Sequence, residues 1–169
     1  MKVEEPTGAV LFSEQQHFPK WLMILMLGHL VVIVSVLLIA MSTASSQKDV
    51  ALPLAIILPF ECLLIYFFRA TTLEKTVTRE GFYYRWLPLQ KKYRLIQSAD
   101  IESMEQRPSP SLKYGYGYLP GYGRYHNMSN GKGIQLYLSN GKKVFFGTDD
   151  LMSFERSIHE FLSSKTMNR

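Results

Sequence analysis

Two long apolar runs with a short polar break between them dominate the chain up to Phe68, and a different pattern follows. The first run, Trp21–Met41, contains no Asp, Glu, Lys or Arg; the second, Val50–Phe68, contains one charge, Glu61. At a rise of ~1.5 Å per residue, each is long enough as a helix to cover a hydrocarbon core of ~30 Å. A spanning segment must satisfy its own backbone polar groups, so helices are the expectation. The break, Ser42–Asp49, is a polar turn, which makes the two spans antiparallel neighbours. The first run is preceded by Glu4, Glu5 and Glu14 instead of a basic segment and exceeds the usual apolar length of a secretory signal, so an uncleaved hairpin is expected.

The segment before the hairpin, residues 1–20, is polar. Ser13 and Gln16 have the spacing of a capping box, and Phe18, Pro19 and Trp21 follow, which predicts a brief interfacial helix leading into the first span.

From Arg69 the pattern shortens to segments rich in Thr, Tyr, Phe, Trp and Ile between turn signals, the mark of strands. Leu73–Arg79 and Phe82–Leu87 flank Glu80-Gly81; Lys91–Ile96 and a shorter Ile101–Glu105 follow. The clearest hairpin has Ile134, Leu136 and Leu138 alternating with polar positions, Asn140-Gly141 as a type I′ turn, and Lys142–Gly147 returning. At the end, Leu151, Phe154, Ile158, Phe161 and Leu162 form one helical stripe, with Thr148 or Asp149 as the expected N-cap. The expected domains are therefore an N-terminal interfacial segment (1–20), a transmembrane hairpin (21–68, with spans 21–41 and 50–68) and a β-rich domain (69–169).

Charge fixes the expected orientation. The turn offers only Lys48, whereas Lys2 and Lys20 precede the first span and Arg69, Lys75, Arg79 and Arg85 follow the second. Cytoplasmic loops carry the excess of Lys and Arg, so both termini are expected in the cytoplasm and the protein in the cytoplasmic (inner) membrane. From Arg69 onward 16 Lys and Arg stand against 9 Asp and Glu, a net charge of +7 that suits a domain beside an anionic leaflet. The same charge would suit nucleic acid, but no recognition motif accompanies it, and none is expected to bind. The lone cysteine, Cys62, lies inside the second span and excludes an intramolecular disulfide.

Candidate chemistry is sparse. His29 and Glu61 lie ~12 Å and ~10 Å from the same membrane face at helical rise, as an intramembrane polar pair. Such a pair either handles protons or ions or simply fastens two helices, and the second reading is favoured for a two-helix protein. Residues 113–127, KYGYGYLPGYGRYHN, hold half of the ten tyrosines. Tyr114, Tyr116, Tyr118 and Tyr122, with Arg124, form the expected partner-binding surface, since tyrosine offers large amphipathic area at modest entropic cost; a glycine-rich connection whose tyrosines cover the barrel is the competing reading. Lys91, Lys92 and Arg94 form a basic cluster expected at the membrane surface or on a solvated strand edge. His17, His126 and His159 have no neighbours at ligand spacing, and no nucleophile motif, phosphate-cradling loop or paired-carboxylate pattern appears. No catalytic residue, metal or cofactor is expected.

The run Tyr125–Leu138, with Asn140-Gly141 and Phe146-Gly147-Thr148-Asp149, resembles the G-x-x-G-V-x-L-x-L-x-x-G-x-x-x-x-I-G-T pattern of bacterial membrane proteins that carry a pleckstrin-homology-like (PH-like) domain. The stretch FSEQQHFPKW is similar to the segment that leads into the spans of these proteins, and Phe146 stands where they have an aliphatic residue. The resemblance implies a bent antiparallel sheet or partly open barrel of about seven strands, capped by one C-terminal helix. It implies no enzyme activity, and Arg79-Glu80-Gly81 is too short and acidic for the inositol-lipid pocket that some members of the wider fold carry. The expected function is a membrane-anchored interaction or scaffolding module with a protein partner or a second copy, anionic headgroups being unspecific contacts. The alternative is a small transport or channel subunit built on His29 and Glu61.

Overall fold

The structure, a computed structural model, describes residues 1–43, 47–110, 113–129 and 131–163. Two compact units result. Phe18–Ala70 form a helical unit; Met1–His17 and Thr71–Arg169 form a β unit.

In the helical unit α1 spans Lys20–Thr43 and α2 spans Gln47–Ala70, each longer than its apolar run. A helix ends where its backbone ladder is interrupted, which need not be where apolarity ends. Ser35 and Thr43 return their hydroxyls to carbonyls one turn back, and α2 carries Pro53 and Pro59. Both helices are long and apolar enough to cross a membrane, with only 11% and 6% of their apolar windows buried. A core helix of a globular unit would hide such residues; here Ile24, Val31, Ile39, Ile56 and Leu63 are all exposed.

The β unit contains ten described strands: β1 (Lys2–Val3), β2 (Val10–His17), β3 (Thr72–Thr78), β4 (Phe82–Leu87), β5 (Tyr93–Ile96), β6 (Ile101–Pro108), β7 (Gly115–Leu119), β8 (Gly123–Asn127), β9 (Lys132–Leu138) and β10 (Lys143–Thr148). They make two five-stranded sheets, ordered β1-β5-β4-β3-β2 and β6-β9-β10-β8-β7. All pairings are antiparallel except β8 with β10. Helix α3 (Leu151–Ser163) follows and buries Phe154, Ile158 and Phe161. These meet Val77, Phe82 and Tyr84 from the first sheet and Ile134, Leu136 and Phe146 from the second in one core. The Phe82 and Phe146 rings cross edge to face with centroids 4.7 Å apart.

Three expectations are corrected. Residues 10–17 are a strand, not a capped interfacial helix, and they belong to the β unit. Phe12, Glu14 and Gln16 face inward while Ser13, Gln15 and His17 face out, a period of two hidden because two of the inward residues are polar. Glu14 lies opposite Lys75 across the β2–β3 pair. Its carboxylate meets the fully buried Lys75 Nζ at 2.7 Å and accepts from Thr148 Oγ1 and the Asp149 amide, so β2 is held to β3 and to the approach to α3. Burial pushes the Lys75 ammonium below its ordinary pKa, and Glu14 partly offsets that.

Second, the strand count exceeds seven, because the N-terminal segment supplies β1 and β2 and the Tyr/Gly segment folds into the β7–β8 hairpin. That hairpin depends on glycine at position 123, where φ is +72° and a Cβ would sit 2.3 Å from the Lys143 carbonyl oxygen. Third, the N-cap of α3 is Asp150, whose carboxylate accepts the Ser153 amide at 3.1 Å; Thr148 is two residues back, accepting the Asp150 amide. The Asn140-Gly141 turn lies between β9 and β10, with Gly141 at φ +77°.

Candidate functional site

The β7–β8 register decides which tyrosines share a face. Tyr116 lies opposite His126 and Tyr118 opposite Arg124, so these four side chains project from one side of the hairpin. Tyr125 covers Gly117 on the other side, where a Cβ would meet its ring at 3.0 Å. Across from the hairpin, β4 and β5 place Tyr84 opposite Arg94. Strand β5 and its approach, with the β7–β8 hairpin, border a cleft of about 520 Å³ lined by Gln90, Arg94, Tyr116, Gly117, Tyr118, Arg124 and His126.

This cleft is the middle of a longer tract. Through Tyr118 and Arg124 it continues into a cleft of about 650 Å³ reaching Lys142 and Lys143 beside the Asn140-Gly141 turn. Through Gln90 and Arg94 it continues into a smaller one of about 210 Å³ holding Lys2, Lys91 and Lys92. The lining therefore includes seven cationic residues and, among the described residues, no carboxylate, although Glu4 pairs with Lys92 from outside it. Tyr116 and Tyr118 stand at its rim, 57% and 76% exposed, with the Tyr116 ring 5.7 Å from Trp86.

Two groups of residues that look separate in the sequence thus come together: Tyr116, Tyr118 and Arg124 from one, and Lys91, Lys92 and Arg94 from the other. Tyr122 does not join them. Its ring stacks edge to face on Phe145 at 5.3 Å, lies 4.2 Å from the Arg107 guanidinium, and its hydroxyl donates to the Pro108 carbonyl, so it packs as a structural residue. Tyr114 precedes β7, is half-buried and does not line the tract.

The residue that sequence reasoning passed over is His126. It is 4% exposed. Its Nδ1 accepts the Trp86 indole N–H at 2.8 Å, its ring stacks on Phe146 at 5.1 Å, and Tyr84 lies 4.8 Å away. Burial, with Arg94 and Arg124 adding to it, pushes its pKa down to about 3, so the imidazole is neutral. Its one sequence signal is position, two residues after Arg124 and hence on the same strand face.

In the helical unit, His29 Nδ1 and Glu61 Oε1 approach to 3.4 Å, with Glu61 buried and His29 more than half exposed. No group of three or more His, Cys, Asp or Glu that would hold a metal occurs among the described residues.

No family matches. Comparison of the chain with protein-family models, with curated proteins and with solved structures finds no similar one. The tract is cationic, aromatic-rimmed and open, and its side chains comprise hydrogen-bond donors and ring faces. That is the chemistry of binding an acidic group beside an apolar one.

Proposed function

We propose that the chain is a membrane-anchored binding module: α1 and α2 cross the cytoplasmic membrane as a hairpin with both termini in the cytoplasm, and a PH-like β unit presents the tract to an acidic protein partner. The membrane reading is supported by the exposed apolar surface of both helices and by Lys20 and Arg69 flanking the hairpin. The PH-like reading is supported by two packed sheets, the β9–β10 hairpin and a closing C-terminal helix, together with the sequence resemblance to bacterial membrane proteins.

The observation that carries the binding function is the pair of exposed tyrosines above a lining of seven cations, of which only Lys92 has a carboxylate partner among the described residues. Tyrosine and arginine concentrate binding energy at interfaces, and a surface of one charge sign selects an acidic partner and speeds encounter. The test is affinity capture of the tagged full chain from gently solubilised membranes, comparing wild type with Tyr116→Ser/Tyr118→Ser. A protein partner recovered by wild type and lost by the variant, with the variant still folded by circular dichroism, is the expected outcome. Equal recovery overturns the assignment of the surface.

The second reading, a transport or channel subunit, draws on the His29–Glu61 contact. That contact equally fastens α1 to α2, which is all a two-helix anchor needs of it.

A further inference from the structure

Arg94 and Arg124 differ in their surroundings from Arg79, Arg85 and Arg107 of the same unit. Arg79 has Glu160, Arg85 has Glu74 and Arg107 has Glu105 as carboxylate partners. Arg94 and Arg124 have none among the described residues, although both line the same cleft. Two guanidinium groups that line one cleft without a carboxylate partner offer their donors to an anion bound between them.

The wall between them is incomplete in the same sense. Indole N–H can only donate, so the Trp86 bond makes Nδ1 of His126 the acceptor and leaves the proton of the neutral ring on Nε2. That Nε2–H is buried with no hydrogen-bond partner among the described residues. The Gln90 side-chain oxygen, on the same cleft, is likewise buried and unpartnered, and an amide can turn to offer its NH₂ instead. Unpaired buried polar atoms are costly and few in folded proteins; here two belong to one cleft.

We infer that the cleft between Arg94 and Arg124, closed by His126 and Gln90, is a binding site for a phosphate monoester. Three terminal oxygens and up to two negative charges suit two guanidinium forks, and the buried imidazole N–H belongs to a ring that lines the same cleft. Tyr116 and Tyr118 flank the opening and provide ring faces for whatever the phosphate is attached to. The volume, about 520 Å³, suits a small organic ligand. The site is separate from the Arg79–Gly81 turn, where Arg79 is already paired with Glu160. No covalent step is involved. The inference goes beyond the capture of a protein partner and does not depend on it.

The phosphate can belong to a soluble metabolite or to a lipid headgroup, and the experiment separates the two. The ¹⁵N-labelled full chain in phosphatidylcholine nanodiscs is titrated with phenyl phosphate while the Trp86 indole resonance is followed, since Trp86 contacts both His126 and Tyr116. A saturable shift is expected, with affinity lowered roughly tenfold or more by Arg94→Gln or by Arg124→Gln, each removing a charge-assisted hydrogen bond. Lys132→Gln, an exposed lysine that lines none of the three clefts, is expected to leave affinity unchanged. If phosphatidic acid in the nanodisc abolishes the phenyl phosphate response, the occupant is a lipid headgroup; if the response persists, it is a soluble ester. Absence of a saturable shift in both nanodiscs overturns the inference, as does an equal loss of affinity in the lysine variant, which would mean diffuse charge attraction only. Partner capture is read separately with Tyr116→Ser/Tyr118→Ser, which keeps both guanidinium groups, so that loss of capture with phosphate binding retained distinguishes the two readings.

Discussion

Lowering the pH from 6.5 to 4.5 is expected to weaken the β unit by roughly 2–3 kcal/mol through His126 alone. In the unfolded chain this histidine takes up a proton near its ordinary value of about 6.5; in the folded unit burial holds it down to about 3. Between those values the unfolded state binds more protons, so stability falls as pH falls, by about 1.4 kcal/mol per pH unit, and the loss levels off below about 3. The charged groups on the cleft with His126, Arg94 and Arg124, are both cationic and oppose its protonation. The ring is almost fully buried, so solvent screening does little to reduce the effect. The assay is urea unfolding of the full chain in neutral micelles, in a Trp21→Phe background so that Trp86 reports alone. His126→Gln keeps an acceptor for the indole but cannot titrate. Wild type should lose roughly 2–3 kcal/mol more than this variant over the interval. Parallel losses in the two proteins, or a titration of His126 near 6.5 by NMR, would refute the reasoning.

The buried Lys75–Glu14 pair makes a second prediction: Lys75→Met leaves Glu14 without its counter-charge and should cost about 3–5 kcal/mol, while adding Glu14→Gln should recover a large part, both read from urea midpoints. An unchanged midpoint in the single variant would show that β2 is held by its backbone pairing alone. In the helical unit, Glu61→Gln should leave proton flux through reconstituted vesicles at the wild-type level, because the His29–Glu61 contact is assigned to fastening α1 and α2. A changed flux would transfer the function to the hairpin.

Features built from neighbours in the chain were legible in the sequence. The two apolar helices follow from length and composition, the β9–β10 hairpin from Asn140-Gly141 between alternating residues, and α3 from a stripe at helical spacing. Each depends on forces acting within a few residues. What failed had the opposite character. Strand β2 was hidden because its inward positions are Glu14 and Gln16, which are tolerable there only once Lys75 and Thr148 have arrived from distant parts of the chain. Tyr116 and Tyr122 look alike in a repetitive Tyr/Gly segment, yet Tyr116 rims a cleft from its paired position opposite His126, while Tyr122 falls in the turn between the strands and packs on Phe145. The residues around the candidate cleft come from the approach to β5, from β5 itself and from the β7–β8 hairpin. Composition already made the chain basic. Only the tertiary structure brought Arg94 to the same cleft as Arg124, with no carboxylate among the described lining residues, because strand pairing and sheet packing, not sequence proximity, decide which charges share a surface.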